Sequence, residues 1–288
     1  MKIEYAARLP RSLPAKARVY ALAAPRTDHK QLQALADGLG LRAAPAEWHS
    51  SAVAVGAQMG RWSLAMHRAS GALRLVHLDR HPGGDDETFE LSDRRAQGAA
   101  ARFVSRLSLL PKAEAKAVAV THLRQAGGPP DGKAGKERIL DAGVVYARRI
   151  DDLPVIGPGG MAMVNVAGDG QVVGARRIWR TLGRRMATVA LQPADWAMET
   201  FESALARQKL LGDVKVLKAQ LGYLEFGELD AQTLIEPAYA FVYRVQHGEV
   251  ASKHVHVMHA GEKGHGKLMG PRRFVAGKQR ARKATEGK

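Results

Sequence analysis

The chain has 288 residues, 45% of them hydrophobic, enough for two or three compact units or one large one. Lys and Arg outnumber Asp and Glu by 44 to 28, a formal charge of +16, which suits an anionic partner: nucleic acid, an anionic membrane or cell-wall surface, or an acidic protein. The lack of cysteine excludes disulfides, thiolate metal sites and a cysteine nucleophile, and no apolar run reaches the roughly 18 residues of a membrane-spanning helix. The N-terminus also lacks the apolar core of a secretory signal, so the expected location is cytoplasmic, or extracytoplasmic with the signal outside this sequence.

In chain order, residues 17–24 read as a first strand ending at Pro25. Thr27 or Asp28 can then cap a helix carrying Leu32, Leu35, Ala36 and Leu39, closed by Gly38 and Gly40. Residues 61–80 predict a hairpin turning at Ser70-Gly71, and 81–87 a loop. A second helix over 93–110 would bury Ala99, Phe103, Leu107 and Leu110 and stop before Pro111. Residues 113–124 lean towards a strand, and 127–136 are loop by composition.

The clearest pattern lies in 144–180. Val144, Val145 and Tyr146 favour a strand, and Pro154 with Gly157-Pro158-Gly159-Gly160 breaks any helix. Residues 161–167 alternate with a period of two, Gly168-Asp169-Gly170 supplies a turn, and 172–179 return as the second arm of a hairpin. A third helix, capped by Asp195 and carrying Trp196, Met198, Phe201, Ala204 and Leu205, precedes strands at 214–226 and a hairpin of 239–245 with 250–258 around His247-Gly248. Beyond Gly261 the chain reads as a flexible basic tail.

Each hairpin follows a helix. The recurrence predicts an α+β protein of two or three helix-plus-antiparallel-meander units in tandem, at 1–92, 93–190 and 191–261, with the tail at 262–288.

The residues Tyr146, Arg148, Leu153, Pro154, Val155, Gly157, Asp169 and Gly170 carry a pattern: a Tyr-x-Arg strand, a short acidic turn, Leu-Pro-Val-x-Gly, and a hairpin with Asp-Gly at its turn. This pattern resembles the PepSY and fungalysin/thermolysin propeptide group of domains. The helix from near Gly98 and the run 236–244 are similar to that group too, so the resemblance spans about 98–260, with the first unit a looser match. It implies a non-catalytic role: such domains hold, inhibit or help fold a partner protein, often a secreted metallopeptidase, or regulate a membrane-anchored signalling system. The chain itself has no His-Glu-x-x-His.

Several residues invite a sharper function. His254 and His256 share a strand face, with Val255 and Val257 expected to face the core, and His247 across the turn is a candidate third ligand for zinc, copper or nickel; a solvent-facing polar stripe explains the histidines more simply. Residues 261–267 have P-loop spacing, but Leu268 stands where a Ser or Thr should hold magnesium. In the tail, Arg272, Arg273, Lys278, Arg280, Arg282 and Lys283 could contact phosphates or simply solubilise the chain. A second cluster, Arg176, Arg177, Arg180, Arg184 and Arg185 beside Trp179, would split between two strand faces.

For catalysis, Asp85-Asp86 and Asp151-Asp152 are adjacent carboxylates in turns, His67 and His77 are a possible cross-strand pair, and no Gly-x-Ser-x-Gly occurs. The reading is a non-enzymatic binding or regulatory protein without a cofactor, docking a peptidase or envelope signalling component through sheet faces or edges. The alternatives are a basic nucleic-acid binder using the tail and arginines, and a structural subunit that self-assembles through its sheet edges.

Overall fold

The computed structural model describes residues 2–42, 44–82, 89–126, 137–208, 212–266 and 268. The architecture is mostly β. Its chain order is β1 (Ile3–Tyr5), β2 (Lys16–Leu22), α1 (His29–Gly38), β3 (Ala46–Ser50), β4 (Ala54–Met59), β5 (Trp62–His67), β6 (Leu73–His77), α2 (Asp93–Arg106), β7 (Ala115–Gln125), β8 (Arg138–Ile150), β9 (Leu153–Ile156), β10 (Met161–Val166), β11 (Val172–Ile178), β12 (Leu182–Ala190), α3 (Ala194–Arg207), β13 (Asp213–Leu224), β14 (Leu234–Ile235), β15 (Pro237–His247) and β16 (Val250–His259).

The expectation of separate helix-plus-meander units fails at the sheet level. Thirteen strands form one mixed sheet in the order β16-β15-β13-β9-β8-β10-β11-β6-β5-β4-β3, with β1 beside β13 and β7 beside β8, while β12, β2 and β14 form a small second sheet. The physical reason is edge pairing. β6, the last strand of the first predicted unit, pairs antiparallel with β11 of the second, Gly174 opposite Val76 and Arg177 opposite Leu73, so two open edges satisfy each other. The third group joins through the parallel pairing of β9 with β13, Tyr223 opposite Val155 and Leu224 opposite Ile156.

Local readings hold better. Asp28 caps α1 by accepting from the Gln31 amide, and Ser92 caps α2 by accepting from Arg95. In α3 the N-cap is Pro193 with no side-chain bond, and Asp195 instead lies in the first turn, where its charge suits the helix dipole. The hairpin of β10 and β11 forms antiparallel with Met161 opposite Ile178, and α2 packs on its face through Ala96, Ala99, Ala100 and Phe103. Helices α1 and α2 share one core with β4, β5, β6, β8, β10 and β11. A second core lies under α3, where Phe201 stacks on Phe241 with ring centroids 4.3 Å apart. No described helix is long and apolar enough to cross a membrane.

Candidate functional site

A charged cluster lies between the core under α1 and α2 and a small apolar cluster of Ile156, Leu224 and Phe226. On β8, residues 142, 144, 146, 148 and 150 share the inward parity, which carries Arg148 to the interior beside Val144 and Tyr146. Its Nη1 donates to Glu225 Oε2 and to the Arg180 carbonyl, each at 2.8 Å, and its Nε donates to Glu114 Oε2 at 2.7 Å. The guanidinium also lies over the Trp179 ring, 5.2 Å from its centroid, and Trp179 Nε1 donates to the same Glu114 oxygen.

Glu225, fully buried at the end of β13, accepts the Arg180 amide on Oε1 at 2.8 Å. Arg180 completes its own fork on the carbonyls of Phe226, Gly227 and Asp230. Two guanidiniums and two carboxylates balance in charge. Burial raises the pKa of the Glu225 carboxyl, against the opposing pull of Arg148 and of the Arg180 amide and guanidinium.

The glycine-rich stretch after β9 makes this approach possible. The Gly159 amide donates to the Glu225 carbonyl and the Glu225 amide donates to Ile156, while a Cβ at Gly159 would come within 2.4 Å of the Phe226 carbonyl. Both carboxylate oxygens of Glu225 are committed within the chain. The cluster is a joint between the halves of the sheet.

The loop after β13 extends the joint. Glu228 pairs with Arg176 at 2.9 Å and approaches His67 at 4.0 Å, and its carbonyl accepts from Ser70. The predicted arginine cluster is thus dispersed. Arg176 holds this loop, Arg177 lies under the sheet donating to the carbonyls of Leu109 and Gly71, and Arg180 is buried. Burial lowers the pKa of the Arg177 guanidinium. Arg184 and Arg185, on β12, are exposed, as is Arg176 despite its ion pair.

The carboxylates Asp151-Asp152 form the two-residue turn between β8 and β9, both at positive φ (48° and 63°), the conformation of a tight hairpin. Asp151 accepts from Arg18 at 2.8 Å, Tyr20 at 2.7 Å and the buried Tyr223 at 3.0 Å, which fixes the small sheet against the large one. His67 and His77 do not pair, because His77 stands opposite Trp62, at the other end of the hairpin from His67. Asp85 and Asp86 lie outside the described residues.

The histidine strand departs from expectation in part: Val257 does pack against the apolar cluster of Ile156 and Leu224, but Val255 does not face a core. His254 stacks on Tyr243, and His256 lies 5.6 Å from the Phe201 ring, while Val255 is 60% exposed. The aromatic residues of β15 opposite them, Tyr243 and Phe241, belong to the core under α3 and set that face. His247 pairs with Val250, four residues along the strand from the level of His254, or roughly 13 Å. Among the described residues no group of three His, Cys, Asp or Glu side chains gathers to hold a metal ion.

At the P-loop-like stretch, the amides of His265 and Gly266 donate to Glu236 at 2.9 and 2.7 Å, with His259 Nδ1 3.4 Å from the same carboxylate. An anion of the chain's own therefore occupies these donors. The tail residues Arg272, Arg273, Lys278, Arg280, Arg282 and Lys283 lie outside the described residues.

Sequence reasoning missed Glu114, Glu225, Glu228 and Glu236. The available signal was a lone carboxylate between apolar neighbours, Leu224-Glu225-Phe226, facing an arginine at core parity on β8.

The remaining feature is an open edge. β7 pairs only with β8, so one side of its backbone is unpaired within the described residues, and Val118 and Leu123 are 54% and 43% exposed.

No family model matches the chain, and no curated protein does. Among solved structures, an uncharacterized protein from Eubacterium rectale ATCC 33656 is similar over 93% of this chain and 91% of its own, with a TM-score of 0.55 and 10% identity. That similarity concerns the fold.

Proposed function

We propose that this architecture serves a non-catalytic binding or regulatory protein, which docks an extended segment of a partner protein along β7. The observation that carries the reading is the eleven-residue edge itself: between two register shifts its pairing with β8 is continuous from Ala119 to Leu123, and apolar side chains stand exposed at the first shift, Val118, and at the end of that stretch, Leu123. An added strand would satisfy the free amides and carbonyls, and the exposed Val118 and Leu123 would contribute selectivity. The commitment of Arg148, Glu225, Arg180 and Asp151 to internal partners agrees with a role in which no bond is broken. The resemblance of 98–260 to propeptide-like domains suggests a peptidase or an envelope signalling component as the partner.

The test is a photo-crosslinking amino acid placed at Val118, at Leu123 and, as a control, at the exposed Met186 of β12, in the cell that makes the protein. A single adduct from the two β7 positions, mapping to one segment of one protein and absent from the control, is the expected result. Adducts that join two copies of this chain would favour the self-assembling subunit instead. Tight duplex-DNA binding in moderate salt, lost on removal of residues 262–288, would replace the proposal with nucleic-acid binding.

A further inference from the structure

On β13, β15 and β16 the side of the sheet turned away from α3 carries a run of like charge. The core under α3 takes Val214 and Val216 from β13 and Tyr243 and Val245 from β15, so the alternate positions, Lys215 and Arg244, point the other way. The register sets Lys253 opposite Arg244 and Arg244 opposite Lys215, three cations abreast on three strands. Like charges directly opposite each other in a sheet are destabilising. Lys218 stands at the next level of the same face, exposed like Arg244 and Lys253.

The carboxylates of this face do not balance the row. Glu4, opposite Lys215 on β1, lies 2.6 Å from its Nζ. The hydrogen bond from Lys215, with the fields of Lys2 and Arg244, holds the Glu4 carboxyl below its ordinary range, so one carboxylate serves several cations. Asp213 accepts the backbone amide of Lys2. Lys218, Arg244 and Lys253 form no ion pair among the described residues. Beside them the face turns apolar: Val242 stands opposite Val255, which is 60% exposed. One level further, Ala240 and Val257 pack in the apolar cluster with Ile156 and Leu224, and Val255 lies outside it.

We infer that this face of β13, β15 and β16 rests on an anionic lipid surface, with Lys218, Arg244 and Lys253 against the phosphates and Val242 and Val255 at the acyl boundary. The cations and the valines occupy two adjacent levels of neighbouring strands, roughly 7 Å apart along the chain, so one plane reaches them all. Exposed apolar side chains next to unpaired cations suit a surface that is charged outside and apolar beneath. The same face carries no Phe, Tyr or Trp from these three strands on which a base could stack, which disfavours single-stranded nucleic acid. No covalent step is involved, and the inference does not depend on what docks at β7.

The experiment is flotation of the full chain with vesicles of phosphatidylcholine and, in parallel, of an equimolar mixture of phosphatidylcholine and phosphatidylglycerol. Partition into the mixed vesicles alone is expected, and it should fall as salt rises. Lys253→Gln with Arg244→Gln should weaken it by about twenty-fivefold, at about fivefold per cation. The same exchange at Arg184 and Arg185, exposed on β12, is the control and should change it by less than about threefold. Val255→Thr keeps the charge and the β-branching and should weaken vesicle binding by about twofold to threefold, leaving any binding of duplex DNA or polyglutamate unchanged. Thermal melts report folding, and Arg244→Gln, which removes two like-charge contacts, should melt no lower than the native chain. The inference is overturned if the native chain ignores the mixed vesicles or takes to both kinds equally. A control that loses as much as the β15–β16 variant would assign the binding to net charge and overturn it too. Loss of DNA or polyglutamate binding in that variant, with native vesicle affinity kept, would overturn it in favour of a soluble polyanion.

Discussion

Glu225 reaches from the end of β13 to place Oε2 2.8 Å from Nη1 of Arg148 on β8, with both side chains sealed from solvent. Removing one member of such a pair leaves the other charge buried without its counter-ion. Glu225→Ala should therefore cost about 3–5 kcal/mol of stability, read from urea denaturation midpoints. Loss of less than about 1 kcal/mol would show that water reaches the cluster.

The two carboxylates of the β8–β9 turn should behave oppositely. Asp151→Ala strands the Tyr223 hydroxyl and should cost about 1–3 kcal/mol. Asp152 occupies left-handed backbone at φ 63°, so Asp152→Gly removes steric strain of about 1–2 kcal/mol at an entropic cost of about 0.5–1 kcal/mol, a net gain of about 0–1.5 kcal/mol. Thermal unfolding of the two variants side by side checks both signs.

A pH effect follows from His256. Burial against α3, with Arg207 nearby, holds its pKa below the ordinary histidine value of 6.5. The folded state thus keeps the ring neutral while the unfolded chain takes up a proton near that value. Stability is complete above it and declines as pH falls below it, until the folded pKa is passed, with a slope of at most about 1.4 kcal/mol per pH unit for this one group. Denaturation series at pH 7.5 and 5.5 should show the decline, and His256→Gln should reduce it.

On the free edge, Val118→Lys replaces an exposed apolar side chain and should leave the melting temperature within the range of about 0.5 kcal/mol typical of surface changes. The same variant should lose the partner adduct formed from Leu123. A variant that keeps the adduct at native yield would remove Val118 from the docking stretch.

The sequence made short-range structure readable and long-range pairing unreadable. Asp28 before Leu32, Leu35 and Ala36 marks α1, and the period of two over 161–167 marks β10, because caps and periodicity depend on neighbours along the chain. The pairing of Val76 with Gly174 depends on two strands a hundred residues apart, and neither carries a mark of its partner. Residues 46–50, 54–59 and 182–190 gave no clear strand signal, since small and charged residues there interrupt the alternation. Arg148 was visible as part of a motif, but its role needed Glu225, which is 77 residues away. The histidine strand misled because Val255 is as strong a β-former as any core residue; only the aromatic residues of β15 opposite decide which face is inside.

The four-residue β9 meets β8 through two residue pairs on one side and β13 through two on the other. A ladder this narrow resists bending poorly, so the angle between the halves of the molecule is set chiefly by side chains: Arg148, Arg180, Glu225 and the Asp151 tether. The continuity of the backbone sheet and the rigidity of the particle thus have different origins. Charge at a handful of positions supplements a short backbone ladder in holding the two halves of the sheet together.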